Sequence, residues 1–236
     1  MVTFDGVTLS EILPQVEFVD ISIGSPSIET VTRDMPGRPG SFYVRNRYGM
    51  RNIVLTLSLE LPDELFRSAA RNTLFAWCSK TEPKWLQLEQ VPGRHLIAVC
   101  TSLPDFSVRD WWEDIQITFT AIDPFFIDDT EKSANVGEPL TITGDTNALA
   151  VIRQTQIESA PNPKWIMDAG AFLQLDTLIN GDIVIDFDAG YIENDGTPVL
   201  SQLTLDSRFF IFPPGVHTLS GDGGAGGTVY WRERWL

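Results

Sequence analysis

The chain has 236 residues, of which 43% are hydrophobic and 11% aromatic, enough apolar material for one or two folded domains and too much for a disordered protein. Its 17 basic and 32 acidic residues give a net charge of −15, which excludes a protein that holds nucleic acid through its phosphates. No apolar run is long enough to span a membrane, and the N-terminus lacks the basic start of a secretory signal.

The front half is predicted to combine short strands with one helix. Residues 53–59 place an aliphatic side chain at every second position, which is the period of a strand with one buried face. Asp63 and Glu64 have the chemistry of a helix start, and apolar residues then recur at helical spacing. We therefore predict a helix over residues 63–78, packed on a sheet, after a Pro- and Gly-rich loop at 35–40.

The back half has no amphipathic helix and is predicted to be a β-sandwich, since short strands alternate with turn-forming residues. The polar, acidic segment 128–139 has the composition of a linker. The fold class is therefore all-β with two domains, 1–133 and 134–236. The glycine-rich segment 221–227 leads into a strand and not a helix, so we interpret it as a flexible hairpin loop and not a dinucleotide site.

Residues with catalytic or metal-binding chemistry are scattered along the chain. His95 and His217 are far apart, and neither stands at ligand spacing from a second ligand, so we predict no metal site. Cys78 and Cys100 are expected to be free thiols. No nucleophile motif or cofactor loop is present, so we predict a non-enzymatic protein without a cofactor. A hydrolase with an unrecognised carboxylate pair remains an alternative in so acidic a chain.

Positive charge is concentrated in one stretch, whose arginines are Arg33, Arg38, Arg45, Arg47 and Arg51. On an extended arm, these side chains either pair with acidic surfaces of neighbouring subunits or belong to a solvated ribbon with local ion pairs. The sequence favours neither interpretation. Of the seven tryptophans, most are expected in the core, and a few as interface anchors or a sugar platform.

Short motifs are spread over nearly the whole chain. In order they are Phe4-Asp5-Gly6-Val7, Met35-Pro36-Gly37-Arg38-Pro39-Gly40, Arg45-Asn46-Arg47-Tyr48-Gly49-Met50-Arg51, Leu74-Phe75-Ala76-Trp77, Pro92-Gly93-Arg94, Ile117-Thr118-Phe119-Thr120-Ala121-Ile122-Asp123-Pro124-Phe125, Gly181-Asp182-Ile183-Val184-Ile185-Asp186, Phe212-Pro213-Pro214-Gly215 and Tyr230-Trp231-Arg232-Glu233-Arg234-Trp235. In order and spacing these motifs resemble the distal tail protein family of phages with long, non-contractile tails.

The resemblance implies an architecture and a role. The N-terminal domain would be a β-sandwich with a single packed helix that closes into a homohexameric ring around the tail channel, and the C-terminal domain a galectin-like β-sandwich. The ring would join the tail-tube protein to the tail-associated protein and let DNA pass along an acidic lining. It would belong to the virion tail tip, assemble in the host cytoplasm, and in some phages carry receptor-binding or baseplate proteins. Arg38, Arg45, Arg47 and Arg51 are expected near a subunit interface.

A second hypothesis comes from a different functional class. The back domain would be a carbohydrate-binding module that contacts the host envelope through exposed aromatic side chains, with Trp165 and Trp231 as the candidates.

Overall fold

The computed structural model describes residues 1–37, 39–60, 63–103, 112–156, 159–168, 170–178 and 180–236. These residues form two compact units, Met1–Phe126 and Ile127–Leu236. Both are built almost entirely from strands, and within the described ranges one helix of several turns lies in the first unit. The predicted all-β class with a single packed helix is confirmed. No helix among these residues has the length and apolarity needed to cross a membrane.

The front unit is organised around one curved sheet. Its elements are β1 (Val2–Phe4), β2 (Val7–Thr8), the one-turn helix α1 (Leu9–Ile12), β3 (Val16–Ile23), β4 (Ile28–Asp34), β5 (Ser41–Tyr48), β6 (Arg51–Glu60), α2 (Glu64–Cys78), β7 (Lys84–Leu88), β8 (Arg94–Ser102), β9 (Trp112–Ala121) and, across the limit of the unit, β10 (Phe126–Asp128). The sheet follows the order β2-β1-β7-β8-β9-β6-β3, and β4 pairs with β5 in a separate two-stranded ribbon.

Strand β6 makes the longest pairings of the front sheet. It runs antiparallel to β3 on one side and to β9 on the other. Its aliphatic residues Ile53, Leu55, Leu57 and Leu59 are fully buried, whereas the residues between them are partly exposed. Burying one such side chain stabilises the fold by about 2 kcal/mol, so this single strand supplies a large share of the front core. The alternation predicted from the sequence is confirmed.

Helix α2 is fixed at both ends. Asp63 caps its start, because the side-chain oxygen accepts a hydrogen bond of 2.7 Å from a first-turn amide. In its last turn Trp77 lies edge-on to Phe4 and to Phe119, with ring centroids 5.7 Å apart in both pairs. The indole N–H of Trp77 also donates to the carbonyl of Val7 at 3.0 Å. The predicted helix and its docking on the sheet are confirmed.

The two cysteines meet where α2 ends. Cys78 is buried at the last position of the helix, Cys100 is half-buried on β8, and both are free thiols as predicted. A hydrogen bond between them, together with burial, raises the pKa of Cys78, and the same bond lowers the pKa of Cys100. The two thiols are therefore neighbours where the helix meets the sheet, and no disulfide joins them.

The back unit contains two main sheets. Its elements are β11 (Lys132–Asn135), β12 (Pro139–Ile142), β13 (Leu149–Gln156), β14 (Ala160–Pro161), β15 (Lys164–Met167), β16 (Ala171–Gln174), β17 (Thr177–Leu178), β18 (Gly181–Asp186), β19 (Tyr191–Asn194), β20 (Thr197–Pro198), the 3-10 turn η1 (Leu200–Gln202), β21 (Gly215–Asp222), β22 (Thr228–Arg232) and β23 (Arg234–Trp235). One sheet has the order β11-β22-β13-β18-β19-β20 and the other β12-β21-β15-β16, while β14 and β17 pair with each other.

Side chains from both sheets fill one core. Ile152, Ile185 and Val229 enter it from the six-stranded sheet, and Trp165 and Leu219 from the four-stranded sheet, all of them fully buried. Two sheets that bury their inner faces against each other form a β-sandwich. This is the architecture predicted for the back half.

The linker interpretation of residues 128–139 is wrong in part. Strand β11 lies inside this segment and pairs with β22, so that Lys132 is opposite Trp231 and Asn135 is opposite Thr228. Only the inward-facing side of such an edge strand needs apolar residues, and the composition is therefore polar. Composition alone could not distinguish this strand from a linker.

The glycine-rich segment 221–227 is not a hairpin loop, because β21 and β22 belong to different sheets of the sandwich. Side chains of the neighbouring strands hold it in place. The amide of Gly226 donates to Gln154 at 2.6 Å, and the indole N–H of Trp165 donates to the carbonyl of Gly226 at 3.0 Å. The segment is a packed connection between the sheets, contrary to the flexible loop expected from its sequence.

The carboxylate of Glu233 joins three segments of the back unit. It is fully buried, and one oxygen accepts from Lys132 Nζ at 2.8 Å while the other accepts from the amides of Thr143 and Gly144 at 2.9 and 2.7 Å. Burial by itself raises the pKa of Glu233. The hydrogen bonds from Lys132, Gly144 and Trp231 outweigh burial and lower the pKa below its ordinary value of 4.5.

Replacing Glu233 with Gln is expected to lower the free energy of unfolding by about 3 kcal/mol, because an amide NH₂ would then face N–H donors. The matched control is Glu131→Gln. This carboxylate is part-exposed and 3.8 Å from Arg232, so its loss is expected to cost less than about 1 kcal/mol. Urea denaturation of both variants measures the difference.

The same pair of variants also tests the lowered pKa of Glu233. A carboxylate with a lowered folded-state pKa contributes stability above its unfolded-state pKa and loses that contribution as the pH falls through the folded-state value. The stability gap between the wild-type protein and Glu233→Gln is therefore expected to shrink from neutral to acidic pH. A gap that stays constant would contradict the assignment.

Gly227 is expected to be irreplaceable in the connection between the sheets. Its φ is +97°, and a Cβ at this position would lie 2.4 Å from the carbonyl oxygen of Arg153. Gly227→Ala should therefore lower the free energy of unfolding by about 2 kcal/mol or more. Gly226→Ala is the control, since its Cβ would meet nothing closer than 3.9 Å. Equal melting temperatures for the two variants would contradict the packed connection.

Candidate assembly surface

The β4–β5 ribbon of the front unit is separate from the main sheet of that unit. Within the described residues its two strands pair only with each other, from Ile28 opposite Tyr48 to Asp34 opposite Ser41. Its base is fixed, because the amide of Gly49 donates to the carbonyl of Ser27 at 2.7 Å. The sequence therefore leaves the sheet after β3, forms the ribbon and returns to the sheet at β6.

The ribbon is exposed along its whole length and yet carries large apolar side chains. All residues of β5 are exposed, and in β4 Val31 alone is half-buried. The exposed fractions of Ile28, Tyr43 and Val44 are 62%, 64% and 54%. An isolated two-stranded ribbon is at best marginally stable in water. The ribbon therefore has the properties of a surface that becomes buried in an assembly.

Strand pairing places arginines of the ribbon on one of its two faces. Paired residues lie on the same face of a ribbon, and faces alternate along each strand. A bulge after Val31 shifts the register by one residue. As a result Arg33, Arg45 and Arg47 share one face with Phe42, while Tyr43 lies on the other.

Electrostatically the ribbon is unlike the rest of the chain. Residues 28–48 contain four arginines and two carboxylates, in a chain with 17 basic and 32 acidic residues. Arg47 pairs with Glu29 at 2.6 Å. Among the described residues, neither Arg33 nor Arg45 has a carboxylate partner. The ribbon therefore presents unpaired positive charge, which acidic surfaces of the same chain would attract.

The structure separates the four arginines that the sequence places near an interface. Arg45 and Arg47 are exposed on the ribbon, whereas Arg38 lies outside the described residues. Arg51 is only 4% exposed, at the first position of β6, and its guanidinium lies 4.8 Å from the ring centroid of Phe126. Burial lowers the pKa of Arg51. Arg51 is therefore part of the core of the front unit and is not accessible to a partner.

Sequence reasoning missed the apolar half of this surface. Phe42, Tyr43 and Val44 form an apolar run between Ser41 and Arg45, a pattern that leaves no single buried face. Because an apolar stretch is normally interpreted as core, these residues were not singled out. The signal that could have identified them is the apolar run itself, which lies next to Arg45 and Arg47 in a segment where apolar and polar residues do not alternate.

The aromatic platform considered for sugar binding does not exist at the predicted residues. Trp165 is fully buried and Trp231 is 5% exposed, so both belong to the sandwich core. The hypothesis that these two side chains contact a glycan is therefore wrong. Among the described residues, no group of three His, Cys, Asp or Glu side chains is arranged to hold a metal ion.

Two family profiles match the chain. Residues 5–121 match the phage tail protein RIFT-related domain, and residues 143–235 match the siphovirus-type tail component, C-terminal domain. These matches place the protein among the structural components of phage tails. It belongs to the distal tail protein family of siphophages, the family that its sequence motifs resemble. No curated protein matches the chain.

One solved structure shows the same fold. The crystal structure of phage SPP1 Dit, described as a paradigm of the hub adsorption apparatus in phages that infect Gram-positive bacteria, superposes with a TM-score of 0.83 at 16% identity. The match covers 100% of this chain and 98% of that chain. Chains of the phage P2 baseplate, in its activated conformations with Ca and with Sr, match at 10% identity and TM-score 0.46, over 93% of this chain and 90% of theirs.

Two substitutions at Arg51 distinguish packing from charge. Within the described residues the buried Nε of Arg51 has no hydrogen-bond acceptor, so Arg51→Met is expected to leave the free energy of unfolding unchanged or raise it by about 1 kcal/mol. Arg51→Ala, which also removes the packed stem, should lower it by about 2 kcal/mol. Chemical denaturation gives both values. Equal losses of unfolding free energy in the two variants would show that the guanidinium does have hydrogen-bond partners.

Proposed function

We propose that the protein is a non-enzymatic hub of a phage tail, whose front unit closes into a homohexameric ring. The observation that carries this proposal is the exposed β4–β5 ribbon, which has apolar side chains on a surface that its own unit leaves uncovered. In the ring, the ribbon of each subunit packs on the body of its neighbour. Each subunit then presents two different surfaces, as a closed cyclic assembly requires.

The distribution of charge also supports a contact between two different surfaces of neighbouring subunits. Arg33 and Arg45 are unpaired on the ribbon, and the chain as a whole carries a net charge of −15. A basic ribbon on an acidic neighbour gives each contact electrostatic complementarity, whereas two ribbons or two bodies repel each other. The head-to-tail contact of a ring is therefore favoured over a symmetric dimer.

Family membership and the fold support a position of the ring in the tail. SPP1 Dit, which shares the fold of the whole chain, is described as a paradigm of the hub adsorption apparatus. We infer that this ring likewise joins the tail-tube protein to the tail-associated protein at the tail tip, and that it is a docking platform for receptor-binding or baseplate proteins. The net charge of −15 supports a channel through which DNA passes without adhering.

Light scattering and negative-stain imaging of the purified protein test the ring. The expected particle has a mass of about 158 kDa, six times the 26.3 kDa subunit, and a central hole. Replacing residues 28–48 with a Gly-Ser pair should give a folded monomer, because Ser27 and Gly49 are already hydrogen-bonded and the gap closes without strain. A wild-type protein that stays monomeric at high concentration would contradict a self-closing ring.

A matched pair of charge reversals tests the role of the ribbon. Arg45→Glu should raise the concentration at which the ring dissociates by at least about tenfold, since it places like charges together. Arg208→Glu makes the same charge change at an exposed position of the back unit and should leave dissociation unchanged. Equal effects of the two variants, or a ring that survives removal of the ribbon, would show that another surface holds the subunits.

A further inference from the structure

The outer face of the six-stranded sheet in the back unit contains a groove of about 630 Å³. It lies over β13 and its neighbours β18 and β22, and Arg153, Thr155, Asp182, Val184, Thr228 and Tyr230 line it. Its volume falls within the range of pockets that hold small ligands. Neither the predicted interface arginines nor the sandwich core uses these side chains.

Arg153 is at the centre of the groove and is held in position. Register pairs it with Val184 on one side and Thr228 on the other. Its guanidinium lies 4.9 Å from the ring centroid of Tyr230, which fixes the long side chain by a cation–π contact. Among the described residues Arg153 has no carboxylate partner. The N–H donors at the rim of the stacked guanidinium are therefore available to a ligand.

Acceptors and hydroxyl groups surround this donor. Thr155 donates to Asp182 at 2.7 Å, which orients a carboxylate that is exposed on the groove wall. Thr228 donates to Asn135 at 3.1 Å and keeps its own oxygen as an acceptor. Fixed donors and acceptors, with an aromatic ring beside them, match the chemistry of a sugar, whose hydroxyl groups both donate and accept.

The position of the groove excludes a peptide that binds by adding a strand. β13 is paired on both sides, with β18 and with β22, so its backbone amides and carbonyls are used within the sheet. Recognition must then come from side chains on the face of the sheet. This again favours a compact polar ligand.

Charge indicates which polar ligand fits. Ile183, Ile185 and Ile192 point into the core, so alternation places Asp182, Asp186 and Glu193 on the outer face with Arg153. Because this face carries three carboxylates and one arginine, its charge disfavours the binding of an anion. A neutral ligand can use both signs of charge as hydrogen-bond partners.

We propose that this groove binds a neutral saccharide, with Arg153 as the central donor, Tyr230 as the ring that holds Arg153 in position and Asp182 as the acceptor. The site uses residues other than the buried tryptophans. It goes beyond the proposed hub function, and it does not depend on ring formation. Each subunit would contribute one such site, and repetition of weak sites in an oligomer raises avidity for a polymeric glycan.

Binding to the full-length protein tests the proposal. The probes are glucose, galactose, N-acetylglucosamine and N-acetylgalactosamine at millimolar concentration, measured by saturation-transfer NMR, followed by titration calorimetry with neutral oligosaccharides. At least one neutral sugar is expected to bind. Arg153→Met should weaken that binding at least about tenfold, because it removes the donors but keeps the stem.

The control is a cation–π pair on the other sheet of the same sandwich. Lys164 Nζ lies 3.8 Å from the ring centroid of Phe172, so Lys164→Met removes a comparable charge outside the groove and should leave sugar binding unchanged. Equal weakening in both variants would overturn the assignment to the groove. So would the absence of binding to every neutral sugar, or binding only to anionic saccharides. Mass measurement of the same samples reports ring formation separately.

Discussion

The pairing of β6 with β3 and β9 is the constraint on which the front unit depends. Because β3 and β6 are neighbours in the sheet, the chain between them has to leave the sheet and return to the same place. The hydrogen bond between Ser27 and Gly49 closes that excursion at its base. The β4–β5 ribbon extends from this base. The sheet therefore sets the position of the ribbon but does not bury its side chains. An element with a fixed base and exposed faces is suited to reach a neighbouring molecule.

Local periodicity predicted the elements that bury one face against their own unit. The alternation over residues 53–59 and the helical spacing over 63–78 both correspond to observed elements, because each pattern reports a single buried face. Where a strand is held by a partner that is distant in the chain, the sequence was less informative. Strand β11 looked like a linker because its partner, β22, is almost 100 residues away in the chain, and no local pattern identifies such a pair.

Charge and glycine content misled for a related reason. Arg51 was expected near a subunit interface with the other arginines of its segment, and its side chain is buried against the ring of Phe126. The glycines of 221–227 suggested flexibility. At Gly227, however, glycine is required because the carbonyl of Arg153 leaves no room for a Cβ. In both cases the tertiary neighbour decides what the residue does, and the sequence does not name that neighbour.

The two units use buried and exposed charge in opposite ways. In the back unit the carboxylate of Glu233 is surrounded by four donors, so its charge stabilises the fold that contains it. On the ribbon, Arg33 and Arg45 have no such partners among the described residues, and an exposed unpaired charge contributes little to the stability of a monomer. In the proposed ring they would contact a neighbouring subunit, where desolvation beside an acidic surface strengthens each pair. The same net negative charge that keeps separate subunits apart would then help to select the one orientation in which a ribbon meets a neighbouring body.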